Sequence, residues 1–225
     1  ADFKFKGTIY SFKEGSVVYP YEPLITVVAP LIDAQLVETA LLLIINHETL
    51  IATKANRIYL SCKGRAFSDF GARRAHNGDA AIYGARASYI GGASSTATTL
   101  AAKKFDIKVS GTMAHSWVMS FDSEYEAFKA YAEIYPNNAV LLIDTYDVLN
   151  QGVRNAIKVA NEFLIPHGYR LKGVRIDSGD LAYLSKECRK ILDEAGLNDC
   201  QIVVSNSLDE FKIKSLIEQG AKIDL

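Results

Sequence analysis

Cysteine is scarce in this 225-residue sequence, which contains only three. Cys62, Cys188 and Cys200 are far apart in the chain, have no metal-binding spacing and are odd in number, so they exclude a disulfide framework. This usage indicates a reducing compartment, and we expect a cytoplasmic protein. The sequence also lacks an excess of positive or negative charge, because its formal net charge is −1. Such a balance gives no electrostatic footprint for nucleic acid or an anionic membrane.

Long apolar runs are lacking as well. The densest run, "ALLLIIN", is bounded by Glu38 and His47 and is far shorter than the roughly 20 residues of a membrane-spanning helix. No signal-peptide pattern opens the chain. Apolar residues nevertheless make up 49% of the sequence, enough for a sizeable core. We therefore expect a protein with neither a membrane nor a nucleic acid as its partner.

The two ends of the sequence predict an incomplete chain. It opens on "ADFKF" without an initiator Met, and it closes on "GAKIDL", where a strand is predicted to begin. Function is therefore expected to depend on residues outside these 225.

Strands and helices alternate in the second half of the sequence. Four apolar strands are predicted in "IKVSGT", "AVLLIDTY", "LKGVRIDS" and "QIVVSN", each followed by a segment with helical spacing. Capping boxes at Ser123 with Glu126 and at Ser207 with Glu210 predict two helix starts, and Pro136 predicts a helix end. Nearly all-apolar strands are typical of parallel strands covered on both faces. Because no GxGxxG motif follows the first strand, right-handed βα units forming a barrel are favoured over an open sheet.

The first hundred residues show a different pattern. Short strands separated by Gly and Pro turns are predicted in "GTIYSFKEGSVVYPYEPLITVVAP", followed by a long helix from Asp33 to about Asn56. Further helices are predicted in "DAAIYGARASYI" and "STATTLAAKKF". The predicted domains are 1–105, an N-terminal α/β domain with connecting helices, and 106–225, a partial α/β barrel.

Small, acidic or hydroxyl-bearing residues follow each predicted strand of the second half. Sites in barrels and open α/β sheets form at the carboxyl ends of the strands, so these residues are predicted to form one polar rim. The rim residues are Ser110, Gly111, Thr112, His115, Asp144, Thr145, Asp147, Asp177, Ser178, Gly179, Asp180, Ser205, Asn206 and Ser207. Each cluster also has an alternative explanation as a helix N-cap, because Asp, Ser, Thr and Asn are favoured at that position.

The segment "DSGD", from Asp177 to Asp180, is the most specific part of the polar rim. Gly179 allows the backbone to approach a ligand closely, and Ser178 with the first N–H groups of the next helix can hold a phosphate oxygen. The two carboxylates would repel a bare phosphate, but they suit Mg²⁺ or sugar hydroxyls. The segment therefore indicates a phosphorylated sugar with Mg²⁺, and an acidic N-cap pair is the alternative.

Two further motifs leave their chemistry open. In "FSDFGARRAHN", Phe70 can stack on a flat heterocycle and Arg73 can hold a carboxylate at two points. A solvated basic turn with a core phenylalanine is the alternative explanation. His115, the lone histidine of "GTMAHSW", can be a ligand, a base, a nucleophile or a packed ring.

Together, these segments resemble the nicotinate phosphoribosyltransferase family. The resemblance runs in order through "EGSVVYPYEPL", "QLVETALLLIINHETLIATKANRI", "FSDFGARRAH", "AAIYGARASYIGGASST", "SGTMAHSWVMSF", "LLIDTYDVLNQGVRNAI", "VRIDSGDL" and "VVSNSLDEFKI". It implies the type II phosphoribosyltransferase fold, in which an N-terminal α/β domain packs on an irregular (β/α) barrel, here incomplete, and it implies a homodimer. The implied reaction joins nicotinate to phosphoribosyl pyrophosphate in NAD biosynthesis, giving nicotinate mononucleotide and pyrophosphate. ATP hydrolysis is coupled to this reaction through a phosphohistidine, and Mg²⁺ is required.

The resemblance also implies roles for single residues. His115 is the phosphorylated histidine, and Asp144 lies close to it. Thr112 and Arg175 contact nicotinate, and Asp177 contacts the ribose or the metal. The other predicted substrate-binding residues are Phe70 beneath the pyridine ring, Arg73 near the base, and Ser178, Gly179, Asn206 and Ser207 on the polar rim. No dedicated set of metal ligands is predicted.

Two alternative functions stay open. The nicotinamide-using relative keeps a carboxylate near the substrate amide, but no Asp or Glu occurs here between Asp79 and Asp106, which favours the acid. A non-catalytic piece that binds only a nucleotide or a partner is the second alternative. It is favoured because the family's N-terminal aromatic segment and the Gly-rich phosphate loop expected after "AKIDL" are absent. The 225-residue chain alone is therefore expected to turn over little or no nicotinate. A barrel aldolase or isomerase is disfavoured, since no lysine at the four strand ends could form a Schiff base.

Overall fold

The computed structural model describes residues 3–225. The chain divides into two compact units, Ala1–Asn56 with Asp69–Val109 and Arg57–Ser68 with Ser110–Leu225. This division differs from the sequence-based boundary at residue 105, because the segment 57–68 is assigned to the second unit. Within that unit, Arg65 donates from Nε to the carbonyl oxygen of Ile223 at 2.8 Å.

The first unit combines a hairpin with helices. Strand β1 (Thr8–Ser11) pairs antiparallel with β2 (Ile25–Val28), as the turn residues of this region predict. The following elements are β3 (Ser68–Asp69, of which Asp69 belongs to this unit), α2 (Gly78–Ile90), β4 (Ser95–Thr96) and α3 (Thr99–Phe105). Asn77 begins α2 as its N-cap, since its side chain accepts the backbone N–H of Ala80. A short turn, Ala72–Arg74, contains the basic pair of the "FGARR" motif.

Helix α1 (Leu31–Ser61) has 31 residues and extends beyond both ends of the predicted helix. It is the one helix in the described part of the chain that is long and apolar enough to span a membrane by length and composition, although its sequence includes Glu38 and Glu48. Several of its large apolar side chains are exposed, among them Leu42 and Leu43. The expectation that no membrane is a partner therefore stays a prediction.

The second unit alternates helices with parallel strands. Its elements are α4 (His115–Val118), α5 (Glu124–Ile134), β5 (Val140–Leu142), α6 (Val153–Val159), β6 (Gly173–Ile176), α7 (Leu181–Glu194), β7 (Gln201–Val204) and α8 (Glu210–Glu218). Strand β6 lies between β5 and β7 and pairs parallel with both. This three-stranded sheet with intervening helices is part of the predicted α/β barrel.

Apolar side chains from the strands and helices of the second unit form one core. Phe128 of α5, Leu142 of β5, Val153 of α6 and Ile176 of β6 are fully buried within it. Burial of a side chain of this size stabilises the fold by about 1.5–3 kcal/mol. The core therefore holds the carboxyl ends of the three strands in fixed positions.

Two predicted strands are wrong. The segment "IKVSGT" contributes only an isolated parallel bridge, between Val109 and Thr96, because Ile107 is used to close the end of α3 through a hydrogen bond to Ala102. Among the described residues, "AKIDL" forms no strand either. It does lie along β7, since the N–H of Asp224 donates to the carbonyl oxygen of Ile202.

The two predicted capping boxes differ in outcome. Ser123 caps α5, where its Oγ accepts the N–H of Glu126 at 3.2 Å. Ser207 does not cap α8, so that prediction is wrong. The N-cap is Asp209, whose Oδ1 accepts two backbone N–H groups of the first turn at 3.1 and 2.8 Å. Ser207 has φ 48°, which is incompatible with the extended backbone of an N-cap.

Candidate active site

The carboxyl ends of β5, β6 and β7 carry polar residues in one row across the sheet. The parallel register pairs Leu142 with Arg175 and Arg175 with Val203. Continued by two residues, this register aligns Asp144, Asp177 and Ser205. Because side chains alternate between the two faces of a strand, the three residues emerge on the same side. The sheet therefore aligns three residues of the predicted polar rim.

His115 and Asp144 form the first contact of the site. His115 begins α4, and its Nε2 lies 3.2 Å from Oδ1 of Asp144. The imidazole is 40% exposed, whereas the Asp144 side chain is 1% exposed. A buried carboxylate that holds one ring nitrogen fixes the ring orientation and the tautomer, with Nε2 donating. The lone pair then lies on Nδ1, where it is available to react.

Asp144 is itself held by the segment that follows β6. Its Oδ2 accepts the backbone N–H of Asp177 at 3.0 Å and the hydroxyl of Ser178 at 2.5 Å. Three donors therefore converge on one buried carboxylate, which fixes the position of the group that orients His115.

The turn that follows β5 packs directly against the strand end. A π-helical turn, Val148–Gly152, precedes α6 and is capped by Asp147. A Cβ atom on Gly152 would lie 1.9 Å from the carbonyl oxygen of Ile143. Only glycine allows this approach. Because Asp144 directly follows Ile143, Gly152 helps to set the position of Asp144.

Arg175 is the centre of a second network. Its Nη1 donates to Oγ1 of Thr112 at 2.8 Å, and its Nε donates to Oγ of Ser205 at 2.8 Å. Its Nη2 donates to Oδ1 of Asp177 at 3.0 Å. The Ser205 hydroxyl also donates to Oδ1 of Asp177. Three different chain segments therefore fix one guanidinium group.

Asp177 links the two networks. Its backbone N–H binds Asp144, while its carboxylate binds Arg175 and Ser205. Burial alone would raise the pKa of Asp177, but the hydrogen bond from Ser205 and the charge and hydrogen bond of Arg175 hold that pKa below its ordinary value. Asp177 is therefore a charged carboxylate at neutral pH.

The remaining rim residues have different environments. Gly179 has φ 79°, a conformation that suits glycine. Asp180 caps α7 by accepting the N–H of Tyr183 at 3.0 Å. This is the contact that the alternative explanation as a helix N-cap predicts. Asn206 and Ser207 are exposed, with φ of 108° and 48°. Their substrate-binding roles stay predictions.

Phe70 and Arg73 belong to the first unit. Phe70 follows β3 and is 39% exposed, and Arg73 is exposed in the turn Ala72–Arg74. Phe70 is thus not a fully buried core residue, and its ring presents surface to solvent. The predicted contacts of these two side chains with the base stay predictions.

Magnesium has one candidate carboxylate in this site. The described residues contain no group of three or more His, Cys, Asp or Glu side chains arranged for a metal ion. Mg²⁺ is commonly held by one or two carboxylates together with substrate phosphates. Both side-chain hydrogen bonds of Asp177 use Oδ1, so its Oδ2 fits such a shared site.

The sequence predicts no role for two residues of the site, Ser205 and Gly152, although Ser205 belongs to the predicted polar rim. Its signal is its position directly after a strand, which matches the position of Asp177. Gly152 gave no readable signal, because the close approach to Ile143 arises from a π turn.

The strand ends of this parallel sheet hold a histidine–carboxylate pair beside an arginine–carboxylate network. These features define an α/β protein with a polar site at its strand ends. Residues 65–223 match the nicotinate phosphoribosyltransferase (NAPRTase) family. The nicotinate phosphoribosyltransferase of Bacillus subtilis is 53% identical over 218 residues, which cover 96% of this chain and 44% of that relative. The nicotinate phosphoribosyltransferase pncB2 of Mycobacterium tuberculosis is 45% identical over 224 residues, covering 100% of this chain and 48% of that relative. The chain belongs to the nicotinate phosphoribosyltransferase family.

Solved structures support the same fold. Human nicotinic acid phosphoribosyltransferase superposes with a TM-score of 0.90 at 31% identity, covering 97% of this chain and 54% of that chain. The nicotinate-nucleotide pyrophosphorylase of Pyrococcus furiosus superposes with a TM-score of 0.82 at 30% identity, covering 96% and 55%. The predicted type II phosphoribosyltransferase fold is confirmed. The chain spans about half the length of these relatives.

Proposed function

We propose that the full-length protein transfers the phosphoribosyl group of phosphoribosyl pyrophosphate to nicotinate, giving nicotinate mononucleotide and pyrophosphate, in NAD biosynthesis. The observation that carries this proposal is the Arg175 network beside the His115–Asp144 pair at one end of the sheet. The names of the relatives support the same reaction.

The Arg175 network supplies recognition of the acid. A guanidinium group held at a strand end binds a carboxylate by charge-assisted hydrogen bonds. Thr112 lies against the same guanidinium and completes the contact region for the pyridine ring. Nicotinate carries a carboxylate and nicotinamide does not, so this site favours the acid.

Asp177 supports the glycosyl transfer. The bond between the ribose carbon and pyrophosphate breaks through an oxocarbenium-like state, and a carboxylate stabilises the positive charge that develops. The lowered pKa of Asp177 keeps it charged for this role. The Asp177 carboxylate and the pyrophosphate would hold Mg²⁺. The bound ion would neutralise charge on the pyrophosphate.

ATP coupling is assigned to His115. Nδ1 attacks the γ-phosphorus of ATP, the new N–P bond forms, and the bond to the ADP oxygen breaks, so that ADP leaves. The proton on Nε2 remains hydrogen-bonded to Asp144, which stabilises the charged ring as the phosphoryl group is added. Water later cleaves the N–P bond, and phosphate and free His115 result.

Competition between nicotinate and nicotinamide tests the proposed function. The full-length protein is incubated with phosphoribosyl pyrophosphate, Mg²⁺ and both pyridines at equal concentration, with and without ATP. We expect nicotinate mononucleotide as the main product, stimulation by ATP, and loss of turnover on chelation of Mg²⁺. Predominant formation of nicotinamide mononucleotide would refute the assignment and favour the alternative substrate.

Arg175→Ala is the matching variant. It should raise KM for nicotinate by roughly 10²-fold, since hydrogen bonds to charged groups contribute about 1.5–3 kcal/mol. Arg170→Ala is its control, because Arg170 forms an exposed ion pair with Asp199 in the same unit and such pairs contribute about 0–1 kcal/mol. Equal effects of the two substitutions would contradict the recognition role.

The homodimer, the cytoplasmic location and the dependence on further residues belong to the same proposal. Sedimentation of the full-length protein at micromolar concentration should give twice the mass of one chain. The 225-residue chain alone should turn over little or no nicotinate. Robust ATP-stimulated turnover by this chain would show that it carries the whole site, and binding without turnover by the full-length protein would favour the non-catalytic alternative.

A further inference from the structure

Ser205 occupies a position that the proposed reaction does not explain. It follows β7 directly, and the parallel register aligns it with Asp177 on the neighbouring strand. It is half-buried. A single hydroxyl at this position makes two hydrogen bonds in opposite directions: it accepts from Nε of Arg175 at 2.8 Å and donates to Oδ1 of Asp177.

This hydroxyl contacts two groups of opposite charge, which also contact each other directly. An arginine and a carboxylate at close range favour a fork-shaped pair, in which Nε and one Nη donate in parallel to the two carboxylate oxygens. Here Nη2 donates to Asp177 at 3.0 Å, but Nε donates to Ser205. Ser205 therefore occupies the place that a carboxylate oxygen would take in a fork-shaped pair.

The consequence is a fixed guanidinium plane. Because Ser205 takes the Nε donor, Arg175 is not drawn fully onto Asp177, and Nη1 reaches Thr112 at 2.8 Å. Without the hydroxyl, Asp177 can rotate to accept from both Nε and Nη2, and the guanidinium would turn away from Thr112.

We propose that Ser205 is a positioning residue that holds the Arg175 guanidinium in the orientation needed to bind a pyridine carboxylate, and so sets the preference for the acid over the amide. This inference rests on the proposed function. Ser205 acts through Arg175 and does not itself touch the substrate.

Ser205→Ala in the full-length protein tests the inference. We expect KM for nicotinate to rise by at least about tenfold, since the hydrogen bonds of the hydroxyl to two charged groups, Arg175 and Asp177, are lost. The preference for nicotinate over nicotinamide, as a ratio of kcat/KM values, should fall by the same factor. Ser215→Ala is the control, because it removes the same hydroxyl from a serine of α8 that accepts a hydrogen bond from Gln219 and lies outside the site. Its kinetic constants should equal those of the unmodified protein.

Two further measurements separate positioning from a general structural role. Labelling of His115 by radioactive ATP should be retained in Ser205→Ala, since Asp144 and Ser178 keep their contacts. In an Arg175→Ala background, Ser205→Ala should add less than about twofold, as expected for two residues of one network.

Each outcome decides one claim. Unchanged KM in Ser205→Ala, loss of His115 labelling, or a full tenfold effect in the Arg175→Ala background would overturn the inference while the proposed function stands. An unmodified full-length protein that neither binds nor converts nicotinate would refute the proposed function, and this inference with it.

Discussion

Gly152→Ala changes the packing behind the proposed nucleophile without altering any polar group of the site. The added Cβ would lie 1.9 Å from the carbonyl oxygen of Ile143 and 2.7 Å from its carbonyl carbon, whereas ordinary contacts begin at 3.4 Å. Either the π turn or the end of β5 must move by more than 1 Å. Asp144 follows Ile143, and its hydrogen bonds span 2.5–3.2 Å, so they cannot all survive a shift of the strand end.

Gly152→Ala is expected to lower both the stability of the fold and the rate of His115 labelling. Overpacking lowers the free energy of unfolding by about 1–3 kcal/mol. Misplacement of Asp144 by about 1 Å reduces the rate of His115 labelling by roughly 10²-fold. Stability is measured by urea denaturation, and labelling is measured by incubation of the full-length protein with radioactive ATP.

A control variant separates packing from the general effect of adding a methyl group. A Cβ on Gly78, at the start of α2, meets nothing within 4 Å, so Gly78→Ala should leave stability and labelling nearly unchanged. If Gly152→Ala also labels at the normal rate, the π turn does not position Asp144 and this part of the account is wrong.

The Glu124 carboxyl and the Cys188 and Cys200 thiols give predictions with their own assays. Burial, opposed by the Asn155 hydrogen bond and aided by nearby carboxylates, raises the pKa of Glu124; its contribution to stability is therefore full below the unfolded pKa of about 4.3 and is lost as pH rises through the folded pKa. Glu124→Gln should accordingly flatten the decline in unfolding free energy as the pH rises above the unfolded pKa. Unfolding free energies, measured by urea denaturation, that decline equally with pH in the two proteins would contradict this. Burial raises the pKa of Cys188 and of Cys200 to about 12, so both thiols should react with a thiol reagent at neutral pH only after unfolding. Rapid labelling of either of these two residues in the folded protein would argue against their burial.

Helices were predictable where a local signal agreed with the periodicity. Ser123 marks the start of α5 because its hydroxyl satisfies a free N–H in the first turn. Ser207 carries the same sequence signal but has φ 48°, a conformation that depends on how the chain leaves β7. Strand pairing was less predictable. Valine is a residue type that favours strands, yet Val109 forms only an isolated bridge with Thr96.

The candidate site was predictable in its location more than in its connections. Apolar strands followed by Asp, Ser or Thr place polar groups at one sheet edge, and His115 with Asp144 came from the resemblance to the family. The register that aligns Asp144, Asp177 and Ser205 depends on how three distant segments pair. For this reason the role proposed for Ser205, which rests on its contacts with Arg175 and Asp177, could not be read from the sequence.

Acid-labile labelling of His115 tests the central claim most directly. The full-length protein is incubated with γ-labelled ATP and Mg²⁺, and the label is followed in His115→Ala and in His167→Ala, whose ring contacts the carbonyl oxygen of Phe163 away from the strand ends. The account predicts acid-labile label in the unmodified protein and in His167→Ala, and none in His115→Ala. Label that survives replacement of His115 would contradict it.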